Sequence, residues 1–154
     1  MSFDTGTVML TFKKCRAAGI VLYRLAENGD YEVLGLEALP HHKKRSNGIY
    51  DLPKGKKSDN ETSFECALRE CVEETGLSPK RVIAGPMKSD TLWMWLAECE
   101  GAPILGINPH IQTPEHLGFK WLTPDELIST CLDYLRETAL WVKQTLNEKN
   151  TNQN

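Results

Sequence analysis

Three stretches of this 154-residue chain predict an α/β domain whose sheet is covered by helices on both faces. Ala17 to Tyr23 reads AAGIVLY, apolar nearly without a break, as in a strand buried on two sides rather than one with a wet face. Thr62 to Gly76 carries the start and stop signals of a helix, and Asp133 to Glu148 holds a second apolar stripe at helical spacing. Strands interspersed with amphipathic helices build layers around one core.

In chain order, Val8 to Phe12 is expected as a short strand, and Ala17–Leu25 with Tyr31–Leu36 as a hairpin turning at Asn28-Gly29. Pro40 to Gly48, PHHKKRSNG, is a polar, turn-rich loop. It holds Lys43, Lys44 and Arg45 beside His41 and His42, and either reaches substrate phosphates or is simply solvated. Ile49 to Leu52 resumes a strand and leads into Leu52-Pro53-Lys54-Gly55.

The next helix is the most informative element. Thr62 and Glu65 form a capping-box pair, and Gly76 is the left-handed stop. Phe64, Ala67, Leu68 and Cys71 fall on one expected apolar stripe, while Glu70, Glu73 and Glu74 crowd an adjoining sector. Like charges at that spacing oppose one another unless a cation sits among them, and hard divalent cations take oxygen ligands. The bland alternative is a solvated acidic surface. Lys54, Lys56 and Lys57 lie just upstream, where they can meet polyphosphate.

After this helix, Arg81–Ala84 and Thr91–Cys99 should return to the sheet. Trp93 and Trp95 share a face there, as core or as a base-stacking platform. Gly101 to Pro114, containing His110, is a connection punctuated by Gly and Pro. Thr123-Pro124-Asp125-Glu126 has an N-cap, a first-turn proline and a capping-box Glu. Leu135, Ala139, Val142 and Leu146 supply the stripe of the last helix, and Asn150–Asn154 reads as a flexible tail. One domain over 1–149 with a tail over 150–154 is the expected organisation.

Gly55, Glu61, Arg69-Glu70, Cys71, Glu73-Glu74 and Gly76-Leu77 reproduce the spacing of the Nudix box across 23 residues, with Cys71 where an aliphatic residue is usual. The chain therefore resembles the Nudix hydrolases. The resemblance implies a mixed sheet sandwiched between helices, the box helix on one side and the C-terminal helix on the other. It also implies water attack on phosphorus, assisted by Mg2+ or Mn2+. Glu70, Glu73 and Glu74 are then metal ligands, joined by the Lys54 carbonyl, with Glu61, Arg69 and Gly55 in support. Arg69 otherwise serves only charge balance.

Downstream, Thr113-Pro114-Glu115-His116 and Gly118-Phe119-Lys120-Trp121-Leu122 resemble the Glu-His segment and aromatic strand of the family's diadenosine polyphosphate hydrolases. That implies Glu115 at the metal site, as a ligand or as the proton acceptor, against an ordinary loop Glu. Lys54, Lys56, Lys43 and Arg45 are the expected substrate cations. The implied substrates are dinucleoside polyphosphates, with ADP-ribose or dinucleotide cofactors in addition. RNA 5′-end processing, nucleoside triphosphate or diphosphoinositol polyphosphate hydrolysis, and a catalytically silent nucleotide sensor remain alternatives.

Composition narrows the rest. With 40% hydrophobic and 25% charged residues, the chain has the makings of one packed core. A net charge of −3 argues against broad nucleic-acid binding but leaves room for a local basic patch. Five scattered cysteines without zinc spacing suggest reduced thiols in a cytoplasmic protein. No secretory signal or membrane-length apolar run is evident, and a homodimer stays open. Six residues rather than four separate Gly48 from Gly55, and Lys56 is followed by Lys57 instead of Ser or Thr, so a P-loop is excluded.

Overall fold

The computed structural model describes residues 13–43, 47–108 and 112–152. The expected strand at Val8–Phe12, the cations Lys44 and Arg45, and His110 lie outside the described residues. Of Lys43 only the backbone is described.

The first long apolar run becomes the centre of the sheet. β1 (Ala17–Leu25) turns at Gly29 into β2 (Tyr31–Glu37), as the Asn28-Gly29 signal requires. One helical turn, α1 (Pro40–Lys43), opens the segment expected to be loop throughout. The short strands β3 (Tyr50–Asp51) and β4 (Lys54–Lys56) follow, then the box helix α2 (Ser63–Thr75). β5 (Arg81–Ser89) and β6 (Leu92–Glu98) form an antiparallel pair. A two-stranded ribbon, β7 (Ile107–Asn108) and β8 (Thr113–Pro114), lies within the long connection. The chain closes with β9 (Gly118–Leu122), α3 (Pro124–Thr130), a 3₁₀ turn at Asp133–Leu135, and α4 (Arg136–Asn152), which runs past the expected start of the tail.

The main sheet is mixed, in the order β3-β2-β1-β6-β5, with β4 added to β1 and β9 to β2. β6 runs parallel to β1 along Ala17–Tyr23, whereas the opposite edge of β1 changes partner. Its beginning pairs with β4 from Ala17 to Gly19, and its end pairs with β2 from Tyr23 to Leu25. Between them the Ile20 N–H donates to the Pro53 carbonyl at 3.1 Å. A Cβ at position 19 would fall 2.1 Å from that oxygen, so the close approach requires glycine. This split in the sheet places the Asp51–Gly55 turn.

Alternation along the strands separates two cores. Val21, Tyr23, Met94 and Leu96 pack with Leu127 of α3 and with Leu135, Ala139, Val142 and Leu146, all buried as their spacing predicts. Ala18, Ile20, Leu22, Leu34 and Leu36 pack on the other face against Cys66, Ala67 and Cys71 of α2. The run AAGIVLY is thus covered on both sides. Trp93 and Trp95 do share a face, and they pack against the α2 core, with Phe64 edge-on to Trp95 at 5.2 Å.

Both capping boxes form, Thr62 with Glu65 and Thr123 with Glu126, and Gly76 ends α2 with φ +69°. The α2 stripe needs correction. Its buried residues are Cys66, Ala67, Cys71, Glu74 and Thr75, whereas Leu68 is 36% exposed. The helix is rotated so that Glu74, seven residues after Ala67, faces inward; an apolar tally cannot assign a glutamate to that position. Its terminal carbonyls are met by the following connection, Ile104 N–H donating to Thr75 and Gly106 N–H to Glu74. Among the described residues no helix is long and apolar enough to cross a membrane.

Candidate active site

The Asp51–Gly55 turn sits in the sheet split beneath the C-terminal half of α2. Leu52 is fully buried and anchors it. A Cβ at Gly55 would lie 2.1 Å from the Glu70 carboxyl carbon, so the missing side chain makes the space that Glu70 occupies.

Arg69 organises the outer half of the site. Its guanidinium donates to both Glu61 oxygens, at 3.0 and 2.8 Å, to Glu70 Oε2 at 2.8 Å and to the Lys56 carbonyl at 3.2 Å, with Glu73 at 3.3 Å. Glu61 also accepts from the Ser58 N–H at 2.9 Å. These bonds tie the loop after β4 to the helix, and the Arg69 hydrogen bonds hold the Glu61 carboxyl down at about 2.

The three helix glutamates are not equivalent. Glu73 is 56% exposed, whereas Glu74 is 4% exposed and its Oε1 has no hydrogen-bond partner among the described residues. Burial, followed by the adjacent Glu70 carboxyl, pushes Glu74 well above the usual carboxylate range. Glu115 enters from the connection after β8 and is raised first by burial, then by Glu70. Glu70, Glu74 and Glu115 line one hollow of about 300 Å³ together with Lys54, Gly55 and Lys56.

Three further residues of this hollow are missing from the predicted set: His42, Asp51 and His116. Buried His116 places Nε2 3.1 Å from Asp51 Oδ2 and 4.0 Å from Glu74 Oε1. Asp51 Oδ1 meets Lys54 Nζ at 3.0 Å and accepts from the Leu52 N–H at 2.8 Å. Burial alone would raise Asp51, but Lys54, His116 and that N–H outweigh it and hold the carboxyl at about 2. A carboxylate so held only accepts, so His116 donates from Nε2. Lys54 is the converse: burial opposes its charge, yet Asp51 and Tyr134 raise it above its ordinary value. Its ammonium, 16% exposed and over the Tyr134 ring at 5.2 Å, is therefore largely spent inside the protein. Exposed Lys56 is the cation that the turn presents outward. Adjacency to the box and to Glu115 was the available signal for Asp51 and His116; their pairing across 65 residues was not readable.

Among the described residues no three Asp, Glu, His or Cys side chains converge into a preformed cation cage. The donors nevertheless suit a hard divalent ion: carboxylate oxygens, one orphaned in a dry position, beside a glycine that leaves room for them. Magnesium commonly takes one or two protein carboxylates and keeps water and substrate oxygens for the rest.

The NUDIX domain model matches residues 13–142. An asymmetrical bis(5′-nucleosyl)-tetraphosphatase from Rattus norvegicus is 30% identical, the match covering 72% of this chain and 80% of the relative. Among solved structures, an Ap4A hydrolase from C. elegans superposes with a TM-score of 0.65 at 23% identity, over 86% of this chain and 99% of the other. The NUDIX domain of Shewanella oneidensis NrtR, solved with ADP ribose, superposes with a TM-score of 0.60 at 15% identity, over 92% and 94% of the two chains. At these identities the structural likeness speaks for the fold, while the domain match spans β1 to α4: this chain belongs to the Nudix hydrolase family.

Proposed function

We propose that this protein hydrolyses a phosphoanhydride bond in nucleoside diphosphate-X compounds, with dinucleoside polyphosphates preferred and Mg2+ or Mn2+ as cofactor. The observation that carries this reading is the orphaned Glu74 Oε1 beside Glu70, in a hollow that Glu115 enters from a separate element. Glu70 and Glu74 would hold the cation, with Glu73 at the exposed edge and Glu115 and the Lys54 carbonyl completing the set. The bound ion would supply Lewis acidity, polarising the attacked phosphoryl group and offsetting charge on the leaving oxygen.

The chain's own residues do the remaining work. Arg69 keeps Glu70 oriented through a direct hydrogen bond and anchors the loop through Glu61. Asp51 holds Lys54 and His116 together, so the turn carrying Gly55 keeps its place against α2. Lys56 faces the phosphates. Glu115, which lines the same hollow as Glu70 and Glu74, takes the proton of the attacking water. The far part of a substrate has room in an adjoining hollow of about 470 Å³ that shares Lys54, Gly55 and Lys56 and is flanked by Tyr134. The rat relative's name favours an asymmetric cut of a dinucleoside tetraphosphate.

The test is product formation from diadenosine polyphosphates, ADP-ribose, nucleoside triphosphates and 5′-triphosphorylated RNA, with and without Mg2+, using Glu74→Gln as the blank. Metal-dependent release of ATP and AMP from diadenosine tetraphosphate is expected. Preference for RNA would move the reading to 5′-end processing, and binding without turnover would make the protein a nucleotide sensor.

A further inference from the structure

Glu115 reaches the hollow from a weakly packed element. The two-residue strands β7 and β8 pair Ile107 with Pro114 and Asn108 with Thr113, and Glu115 follows directly. Ile107 is 59% exposed, and Thr113 and Pro114 are exposed as well. Burial of these side chains therefore does little to fix where the ribbon stands.

What fixes it is the backbone just before β7. The Ile104 N–H donates to the Thr75 carbonyl at 2.8 Å and the Gly106 N–H to the Glu74 carbonyl at 3.2 Å, while Leu105 between them packs against the α2 core. These carbonyls belong to the last turn of α2, where a helix has no N–H of its own to give them. The approach is close. A Cβ at Gly76 would lie 3.3 Å from Ile104, and a Cβ at Gly106 would lie 1.9 Å from the Glu73 carbonyl oxygen. That oxygen is backbone, so no side-chain rotation can absorb an added methyl, and the strand must move off the helix. Beyond Glu115, His116 is held by Asp51 and the Leu117 N–H donates to the Glu37 carbonyl at 2.9 Å. Glu115 is thus strung between two tethers. One of them is bonded to Glu74, whose carboxylate lines the same hollow.

We propose, on the reading that Glu115 takes the proton of the attacking water, that Gly106 is a positioning residue: its contact with Glu73 and Glu74 sets where the β7–β8 ribbon presents Glu115 to the helix glutamates. Proton transfer needs hydrogen-bond reach, so a displacement of about 1 Å, which can cost about a hundredfold, falls on the chemical step rather than on substrate binding.

The test combines steady-state turnover of diadenosine tetraphosphate by Gly106→Ala, Glu115→Gln and the double variant with amide hydrogen exchange of the metal-free proteins. Gly106→Ala is expected to lower kcat at least about tenfold with KM within about twofold of wild type, and the double variant to fall within about twofold of Glu115→Gln alone, since a displaced base and an absent one are the same loss. The amides of residues 104, 106 and 117 should exchange at least about tenfold faster in Gly106→Ala, while those of α4 keep their protection. Losses that multiply in the double variant would overturn the proposal, as would an unchanged kcat or a Glu115→Gln enzyme as active as wild type. Absence of turnover in the wild type would sink the hydrolase reading instead. Unchanged exchange at the three amides overturns the tether in either case. If Gly106→Ala does not fold, Ile104→Pro, which removes the N–H given to Thr75, takes its place in both measurements, read at residues 106 and 117.

Discussion

α2 and α4 cover opposite faces of the same sheet, yet one could be read from its stripe and the other could not. α4 has only to be a cover: Ala139, Val142 and Leu146 are buried at the spacing that periodicity demands, continuing from Leu135. α2 is a cover and a scaffold. It gives an inward position to Glu74, turns Leu68 outward, and relies on Arg69 and Gly55 to keep Glu70 in place. The helix that carries the candidate site thus departs from the apolar pattern at the residues lining that site.

The sharpest way to break this contrast is Glu74→Gln, which keeps shape and removes a charge. Turnover of a dinucleoside polyphosphate should fall at least about a hundredfold, while the metal-free protein should melt no lower than wild type because a poorly compensated buried carboxylate is gone. Equal turnover would show that Glu74 is a packing residue like those of α4. On the covering side, Leu146→Ala should cost about 2–5 kcal/mol in chemical denaturation with kcat/KM unchanged at temperatures where the variant is folded. Gly55→Ala should do both kinds of damage, costing about 1–3 kcal/mol through overpacking and lowering turnover because Glu70 is displaced.

Acid and base separate two carboxyls of the site, buried Glu74 and part-buried Asp51. Asp51 is held at about 2 against an ordinary 3.8, so its contribution is present above 3.8 and is lost as pH falls toward 2. Glu74 is raised above its ordinary 4.5, so its contribution is full below 4.5 and is lost as pH rises. Melting of the metal-free protein between pH 2 and 8 should show Asp51→Asn flattening the acid limb and Glu74→Gln flattening the decline above 4.5. The smallest effect belongs to Leu68→Gln on the outer side of α2, expected within about 0.5 kcal/mol of wild type. A loss of several kcal/mol there would restore Leu68 to the core stripe.

Much of the fold was legible because its signals are local. The two capping boxes, the Gly76 stop, the hairpin at Gly29 and the α4 stripe each depend on residues within a turn or two of one another. The box itself is contiguous, so Glu70, Glu74, Arg69 and Glu61 could be named together, and the structure joins Arg69 directly to Glu61 and Glu70. Trp93 and Trp95 were readable as sharing a face, but their packing under α2 depends on an element some thirty residues away in sequence.

By itself the sequence determined the family, the capped helices and the two-sided burial of β1, and it grouped the box glutamates on one helix, since each follows from spacing along one element. Only the tertiary structure decided how those glutamates differ. The split of β1 between β4 and β2 sets the Asp51–Gly55 turn beneath α2, and this buries Glu74, leaves Glu73 at the edge and diverts Lys54 onto Asp51. It also joins Asp51 to His116. The physical reason is common to all of these: burial and charge pairing depend on distance in space, and residues far apart in the chain leave no periodic trace of meeting there.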